Sequence, residues 1–145
     1  MISRSKLQTQ QIAKKLARKL LNAPHRTQAS VIALQGDLGA GKTTFTQGFA
    51  RGLEIHRHIT SPTFLIIRRY GIPKTDWNFY HLDLYQIKKA KEILDLGFKE
   101  IIRNPKNIVI IEWAEKIKSF LMKKKIIHVD FKHTKNENKR VIRLH

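Results

Sequence analysis

The chain has 145 residues, with 29 Lys plus Arg against 11 Asp plus Glu, a formal net charge of +18 and no cysteine. This length suits one domain over residues 1–145 that buries about two thirds of its extended-chain surface, and the missing cysteines exclude disulfides, thiolate metal sites and cysteine nucleophiles. No stretch approaches the roughly 20 apolar residues of a membrane span, and the basic opening lacks the apolar run of a signal peptide, so a cytoplasmic protein is expected.

Ile12, Ala13, Leu16, Ala17, Leu20 and Leu21 recur at helical spacing among lysines and glutamines. The spacing predicts an amphipathic helix over 5–21 that packs its apolar face on the body of the domain. Residues 22–30 read as a loop, and the short β-branched run 31–35 as a buried parallel strand. Phe45, Phe49 and Leu53 then recur every fourth position, with Gly52 as a stop, which predicts strand, loop, helix. Pro62 disfavours helix around Ser61. Residues 64–70 and 77–85 read as two strands joined by a short polar turn, hence an antiparallel hairpin and a mixed sheet. A helical pattern over 88–104, broken near Gly97, ends at Pro105. A second buried strand over 107–113 carries Glu112 at its carboxyl end. A helix over about 115–124 and an antiparallel pair around the turn-like 132–139 complete the chain.

Gly36, Asp37, Leu38, Gly39, Ala40, Gly41, Lys42 and Thr43 satisfy G-x-x-x-x-G-K-[ST], followed by Thr44. Glycines let the backbone turn its N–H groups onto phosphate oxygens, and the following helix offers unpaired N–H groups to the same anion. Lys42 would reach the β and γ phosphates, and the Thr43 hydroxyl would join the coordination of Mg²⁺. Hydrolysis further needs a carboxylate for the metal and a group that places water. Asp83 and Glu112 both follow apolar strand residues, and the carboxyl ends of strands line the ligand crevice of open α/β sheets. Lys42, Asp83 and Glu112 are therefore the catalytic candidates; Thr43 and Glu112 are the metal candidates, with Asp83 as a further one. Thr60, Ser61 and Thr63 around Pro62 offer hydroxyls as a nucleotide-sensing segment would, or form a simple turn. No N-K-x-D motif is present to read guanine, which favours ATP.

The excess charge has two readings. A phosphate-rich partner such as tRNA would be steered by such a field, in a salt-dependent way. Alternatively, the lysines cover solvated faces; neither a GxxG clamp in a KH-like context nor an aromatic RNP pattern is present.

"GDLGAGKTTF", "SPTF", "HLDLY" and "IIEW", in this order, resemble the bacterial TsaE (YjeE) ATPase family of the tRNA threonylcarbamoyladenosine machinery. The resemblance spans roughly residues 5–131. It implies a three-layer P-loop α/β fold with a mixed parallel and antiparallel sheet flanked by helices. It also implies a slow Mg²⁺-dependent ATPase that joins TsaB and TsaD and supports threonylcarbamoylation of the adenosine beside the anticodon in tRNAs reading A-starting codons. Carried over by motif, Gly36–Thr44 hold the phosphates, while Ser61, Pro62, Thr63 and Phe64 match a switch-like segment. Asp83 matches the strand-end aspartate, and Glu112 the acidic Mg²⁺-side residue beside Trp113. Ala114 departs from the proline that usually follows Glu-Trp, so the loop leaving Glu112 is expected to be less restricted.

Three functional classes remain open on sequence grounds. The first is an ATPase completed by partner subunits, because so small a domain has little room for its own lid. The second is a small-molecule kinase, with Arg68, Arg69 and Arg103 recruited over the acceptor. The third is a nucleotide-gated binding module. Contact with tRNA is indirect through the partners, or direct through the basic surface.

Overall fold

The computed structural model describes residues 2–23, 26–36, 41–59, 66–121, 125–133 and 140–145. Seven strands form one sheet: β1 (Ile2–Ser3), β2 (Ser30–Gly36), β3 (Ile67–Gly71), β4 (Asn78–Asp83), β5 (Asn107–Glu112), β6 (Ile127–His133) and β7 (Arg140–Leu144). Their order is β1-β7-β6-β2-β5-β4-β3. β6, β2, β5 and β4 run parallel, each paired with the next. The hairpin β3–β4 closes one side, while β6–β7 and β7–β1 close the other, all antiparallel. The mixed sheet expected from the two hairpin signals is therefore present.

Side-chain alternation along the strands builds two cores, one on each face. Ile32 and Leu34 of β2, Phe79 of β4 and Ile108 and Ile110 of β5 pack with Phe45, Phe49 and Leu53. These last three come from α2 (Lys42–Gly52) and its cap, and α1 (Lys6–Leu21) adds Ala13 and Ala17 to the same core. The opposite face buries Val31, Ala33, Leu82, Val109 and Ile111 under Phe98, Ile102, Ile117 and Leu121. The covering elements there are α3 (Lys91–Leu94), α4 (Phe98–Arg103), a 3-10 turn (Ala114–Ile117) and α5 (Lys118–Leu121). Helices on both faces of a mostly parallel sheet make the three-layer arrangement.

Most boundaries fall where the sequence places them. Ser5 caps α1 by accepting a hydrogen bond from the Gln8 N–H at 3.1 Å, and Gln8 Oε1 reaches back to the Arg4 N–H at 2.6 Å, a variant of the capping box. The break expected near Gly97 lies between α3 and α4, where Gly97 has φ +85°. Two features differ from expectation. β1 is unanticipated, because a two-residue strand carries no periodicity. Of the helix expected over 115–124, the described residues form a 3-10 turn (Ala114–Ile117) that runs into α5 (Lys118–Leu121), and 122–124 lie outside the described residues: Trp113, at φ 60° and ψ 40°, turns the chain sharply out of β5.

The packing of α1 on α2 depends on two glycines. A Cβ on Gly48 would lie 2.5 Å from the Cα and carbonyl oxygen of Gln10. One on Gly52 would lie 2.6 Å from the Lys14 carbonyl oxygen and 2.7 Å from the Ala17 Cβ. Four residues apart, both glycines face α1, so the two backbones approach more closely than any side chain allows. Gly48→Ala must push α1 away from the helix that begins at Lys42. Overpacking of this kind costs about 1–3 kcal/mol, so the variant is expected to melt several degrees below the parent in a calorimetric scan. An unchanged melting temperature would show that α1 shifts without loss.

Candidate nucleotide site

Parallel register brings the candidate residues to one edge of the sheet. Leu34 of β2 pairs with Glu112 of β5, and Glu112 with Asp83 of β4. The carboxyl ends of the three strands therefore lie side by side, next to the amino end of α2. Alternation then selects the face: Glu112 shares its parity with Ile108 and Ile110, and His81 and Asp83 share theirs with Phe79, all turned toward α2.

Lys42 and Thr43 open α2 beneath these strand ends. Lys42 is only 5% exposed; its Nζ donates to the Gly36 carbonyl oxygen at 2.7 Å and lies 3.6 Å from the centroid of the Trp113 ring. The left-handed conformation of Trp113 sets its indole against that ammonium group. Thr43 Oγ1 is 3.5 Å from Glu112 Oε1, a long hydrogen bond. Glu112 is 3% exposed, and its other oxygen, Oε2, is hydrogen-bonded to His81 Nε2. Asp83 Oδ1 accepts the Tyr85 N–H at 3.0 Å. Tyr85 packs against Trp113 with ring centroids 5.2 Å apart, and its carbonyl oxygen accepts from Lys116 Nζ.

Gly36 ends β2 with φ +143°, and a Cβ there would fall 2.3 Å from the Phe131 carbonyl oxygen. The strand thus delivers the chain to the glycine loop at a point where only glycine fits beside β6. Gly41 and Thr44 complete the described part of the candidate phosphate-binding segment. Asp37, Leu38, Gly39 and Ala40, and the hydroxyl segment Thr60, Ser61, Pro62, Thr63 and Phe64, lie outside the described residues. Ala114, in the place of the expected proline, is 2% exposed and opens the 3-10 turn. Arg103, considered as a lid residue, ends α4 next to the amino end of β5, at the far end of the sheet from Glu112. His81 was not singled out from the sequence, although its place two residues before Asp83 puts both on one face of a strand.

The donor set fits a hard divalent cation bound together with phosphate. One hydroxyl and one carboxylate converge beside a buried lysine and a helix amino terminus, and Mg²⁺ is held by one or two carboxylates plus substrate phosphates. Among the described residues no group of three or more His, Cys, Asp and Glu side chains is arranged to hold a metal ion by itself.

Burial holds the Asp83 carboxyl above the ordinary carboxylate range against the opposing hydrogen bond from the Tyr85 N–H; nearby Glu112 raises it further, and His81 and Lys42 lower it. A folded-state value above the unfolded one means that the folded chain binds this proton more tightly. The contribution is therefore present in acid and is lost as pH rises through the folded value. Asp83→Asn, which keeps the acceptor for Tyr85, is expected to raise the melting temperature of the nucleotide-free chain at pH 7. The gain is below about 1 kcal/mol, because the group is half exposed and screened. It should shrink toward pH 4 in a pH series of melts; a lower melting temperature at pH 7 would contradict the burial argument.

A mixed sheet with helices on both faces, and a strand that runs through a glycine loop into a helix opened by Lys-Thr, define a P-loop NTPase-type α/β protein. The sequence profile described as "Threonylcarbamoyl adenosine biosynthesis protein TsaE" matches residues 3–142. The chain belongs to the TsaE family. It is 39% identical over 148 residues to the tRNA threonylcarbamoyladenosine biosynthesis protein TsaE of Rickettsia prowazekii, covering 97% of this chain and 90% of that protein. It is 40% identical over 109 residues to the Bacillus subtilis protein of the same name, covering 73% of this chain and 64% of that one. The crystal structure of YdiB from Bacillus subtilis superposes with a TM-score of 0.73 at 30% identity, covering 99% of this chain and 82% of that chain.

Proposed function

We propose that the chain is a Mg²⁺-dependent ATPase that associates with TsaB and TsaD and sustains their threonylcarbamoylation of the adenosine beside the anticodon. Family membership supports a place in that tRNA modification. The observation that carries the chemistry is the meeting of Lys42, Thr43, Asp83 and Glu112 at one sheet edge.

ATP enters with its phosphates over the amino end of α2, where unpaired backbone N–H groups of the first turn can meet them. Lys42 exchanges the Gly36 carbonyl oxygen and the Trp113 ring for β and γ phosphate oxygens. Bound Mg²⁺, held by Thr43 and Glu112, would offset the negative charge on the phosphates. Asp83, whose carboxyl is raised by burial, takes the proton of the attacking water. The water oxygen bonds to the γ phosphorus, the bond to the β-phosphate oxygen breaks, and ADP and phosphate leave. Ser61 and Thr63 would respond to the γ phosphate as a switch.

Tyr85 is 53% exposed beside Trp113, and a partner surface placed there would exclude water and speed a chain that is slow alone. Lys88, Lys89 and Lys91 are exposed on the segment that follows Tyr85, where they offer tRNA phosphates a direct contact in addition to the one made through the partners.

The test is Mg²⁺-dependent ATP hydrolysis by the purified chain, alone and with TsaB and TsaD of its own organism. Stimulation by the partners is the expected result. Equal turnover with and without them would remove the partner-dependent reading, and phosphate transfer to a metabolite instead of water would make the chain a kinase. Support of tRNA modification without hydrolysis would leave nucleotide gating.

A further inference from the structure

His81 is fully buried at the centre of the candidate site, and none of the roles above uses it. Its position follows from the register of the sheet. Cross-strand from Ile110 on β5 and two residues before Asp83, it faces α2 next to Glu112. Its Nε2 meets Glu112 Oε2, and its Nδ1 is buried without a hydrogen-bond partner among the described residues.

The two nitrogens assign the tautomer. An ionised carboxylate can only accept, so Nε2 carries the hydrogen and Nδ1 presents a lone pair. A buried N–H left without an acceptor at Nδ1 is thereby avoided. Glu112 is held closely at Oε2, whereas Oε1 makes the long 3.5 Å contact with the Thr43 hydroxyl. With Oε2 tied to the imidazole, Oε1 is the oxygen that faces the Thr43 hydroxyl. A carboxylate at a strand end has rotational freedom about its last bond, and one fixed oxygen removes most of it.

We propose that His81 is a positioning residue: its Nε2–H clamps Glu112 Oε2 so that Oε1 is presented beside Thr43 as a cation-facing ligand for the metal–nucleotide complex. This rests on the reading of the site as one for Mg²⁺ and ATP. The role resembles the outer hydrogen bonds that orient metal ligands in general, whose loss weakens metal binding about 10- to 100-fold. His81 touches neither nucleotide nor metal, so its effect appears only in the part of nucleotide affinity that depends on Mg²⁺.

The experiment compares the full chain with His81→Gln, His81→Asn and His81→Leu. Gln carries its amide nitrogen the same number of bonds from Cβ as the imidazole Nε2; Asn stops one bond short, and Leu has no donor. ATP affinity is measured by titration calorimetry in excess Mg²⁺ and in EDTA, and the ratio of the two is the readout, alongside a melting curve for each protein. The expected result is a ratio retained within about threefold by His81→Gln and reduced about tenfold by His81→Asn and His81→Leu, with the EDTA affinity alike in all four. If His81→Leu does not fold, the Gln and Asn pair, both burying an amide, carries the comparison. The same ratio in every protein would overturn the proposal. So would a loss of affinity in both conditions that follows the melting temperature, since that marks a packing residue. A parent chain that binds no ATP in either condition would bring down the nucleotide reading and the proposal with it.

Discussion

Lys42→Ala is expected to weaken ATP binding by at least about 100-fold while the chain stays folded. Two charge-assisted hydrogen bonds to phosphate oxygens at about 1.5–3 kcal/mol each amount to two or more decades of affinity. In the nucleotide-free chain the ammonium group donates to the Gly36 carbonyl oxygen and lies over Trp113. Both contacts are with the strand end and the turn that frame the site, so the lysine is already held close to where phosphate would meet it. For Lys42 itself, binding then needs only a short displacement of the side chain. The same geometry supplies the readout. The chain has two tryptophans, and in a Trp77→Phe background Trp113 is the only one left to emit on tryptophan-selective excitation. Withdrawal of a cation 3.6 Å from the ring should change its fluorescence on ATP addition; Lys42→Ala should start from a different emission and show no ATP response at concentrations that saturate the parent. A full ATP response in Lys42→Ala would place the nucleotide elsewhere.

How much of this was legible in the sequence depends on how local the signal is. Ile108–Ile111 and Val31–Leu34 are apolar on both strand faces, and such runs announce central parallel strands wherever they occur. Glu112 at the end of one and the glycine loop at the end of the other could therefore be placed at the same edge before any coordinates. What sequence reasoning missed needs register or distance. Nothing in a lone histidine reveals that His81 lies beside Glu112 across β4 and β5, although the alternation Phe79, His81, Asp83 was available to put it on the same face. Gly48 and Gly52 read as ordinary helix residues and a stop, because close approach to α1 is a property of two helices at once. The 3-10 turn after Trp113 was hidden for another reason: a tryptophan at positive φ runs against backbone preference and costs roughly 1–2 kcal/mol. What offsets it is the indole over Lys42, a contact between residues 71 positions apart in the chain (113 minus 42).

Glu112→Gln should separate binding from turnover. The glutamine is nearly isosteric, and its hydrogen bonding dictates its orientation: His81 Nε2–H needs an acceptor, so the amide oxygen takes the place of Oε2. The amide nitrogen then points at Thr43 in the place of Oε1, a donor where a cation ligand is required. Reversing the amide would force the imidazole hydrogen onto Nδ1, which has no partner among the described residues. Melting should fall little, since every hydrogen bond of His81 is kept. ATP should still bind through Lys42 and the backbone of the glycine loop, whereas hydrolysis should drop about 10²- to 10³-fold, the usual range for loss of one group that helps stabilise charge in the transition state. Under the proposed cycle, Glu112→Gln mixed with TsaB and TsaD would hold ATP and stall, and repeated tRNA modification would cease. A mutant that sustains modification at the parent rate without hydrolysing ATP would show that nucleotide occupancy alone is the signal. A mutant that hydrolyses normally would transfer the metal-side role to Asp83, which is register-paired with Glu112 on the neighbouring strand.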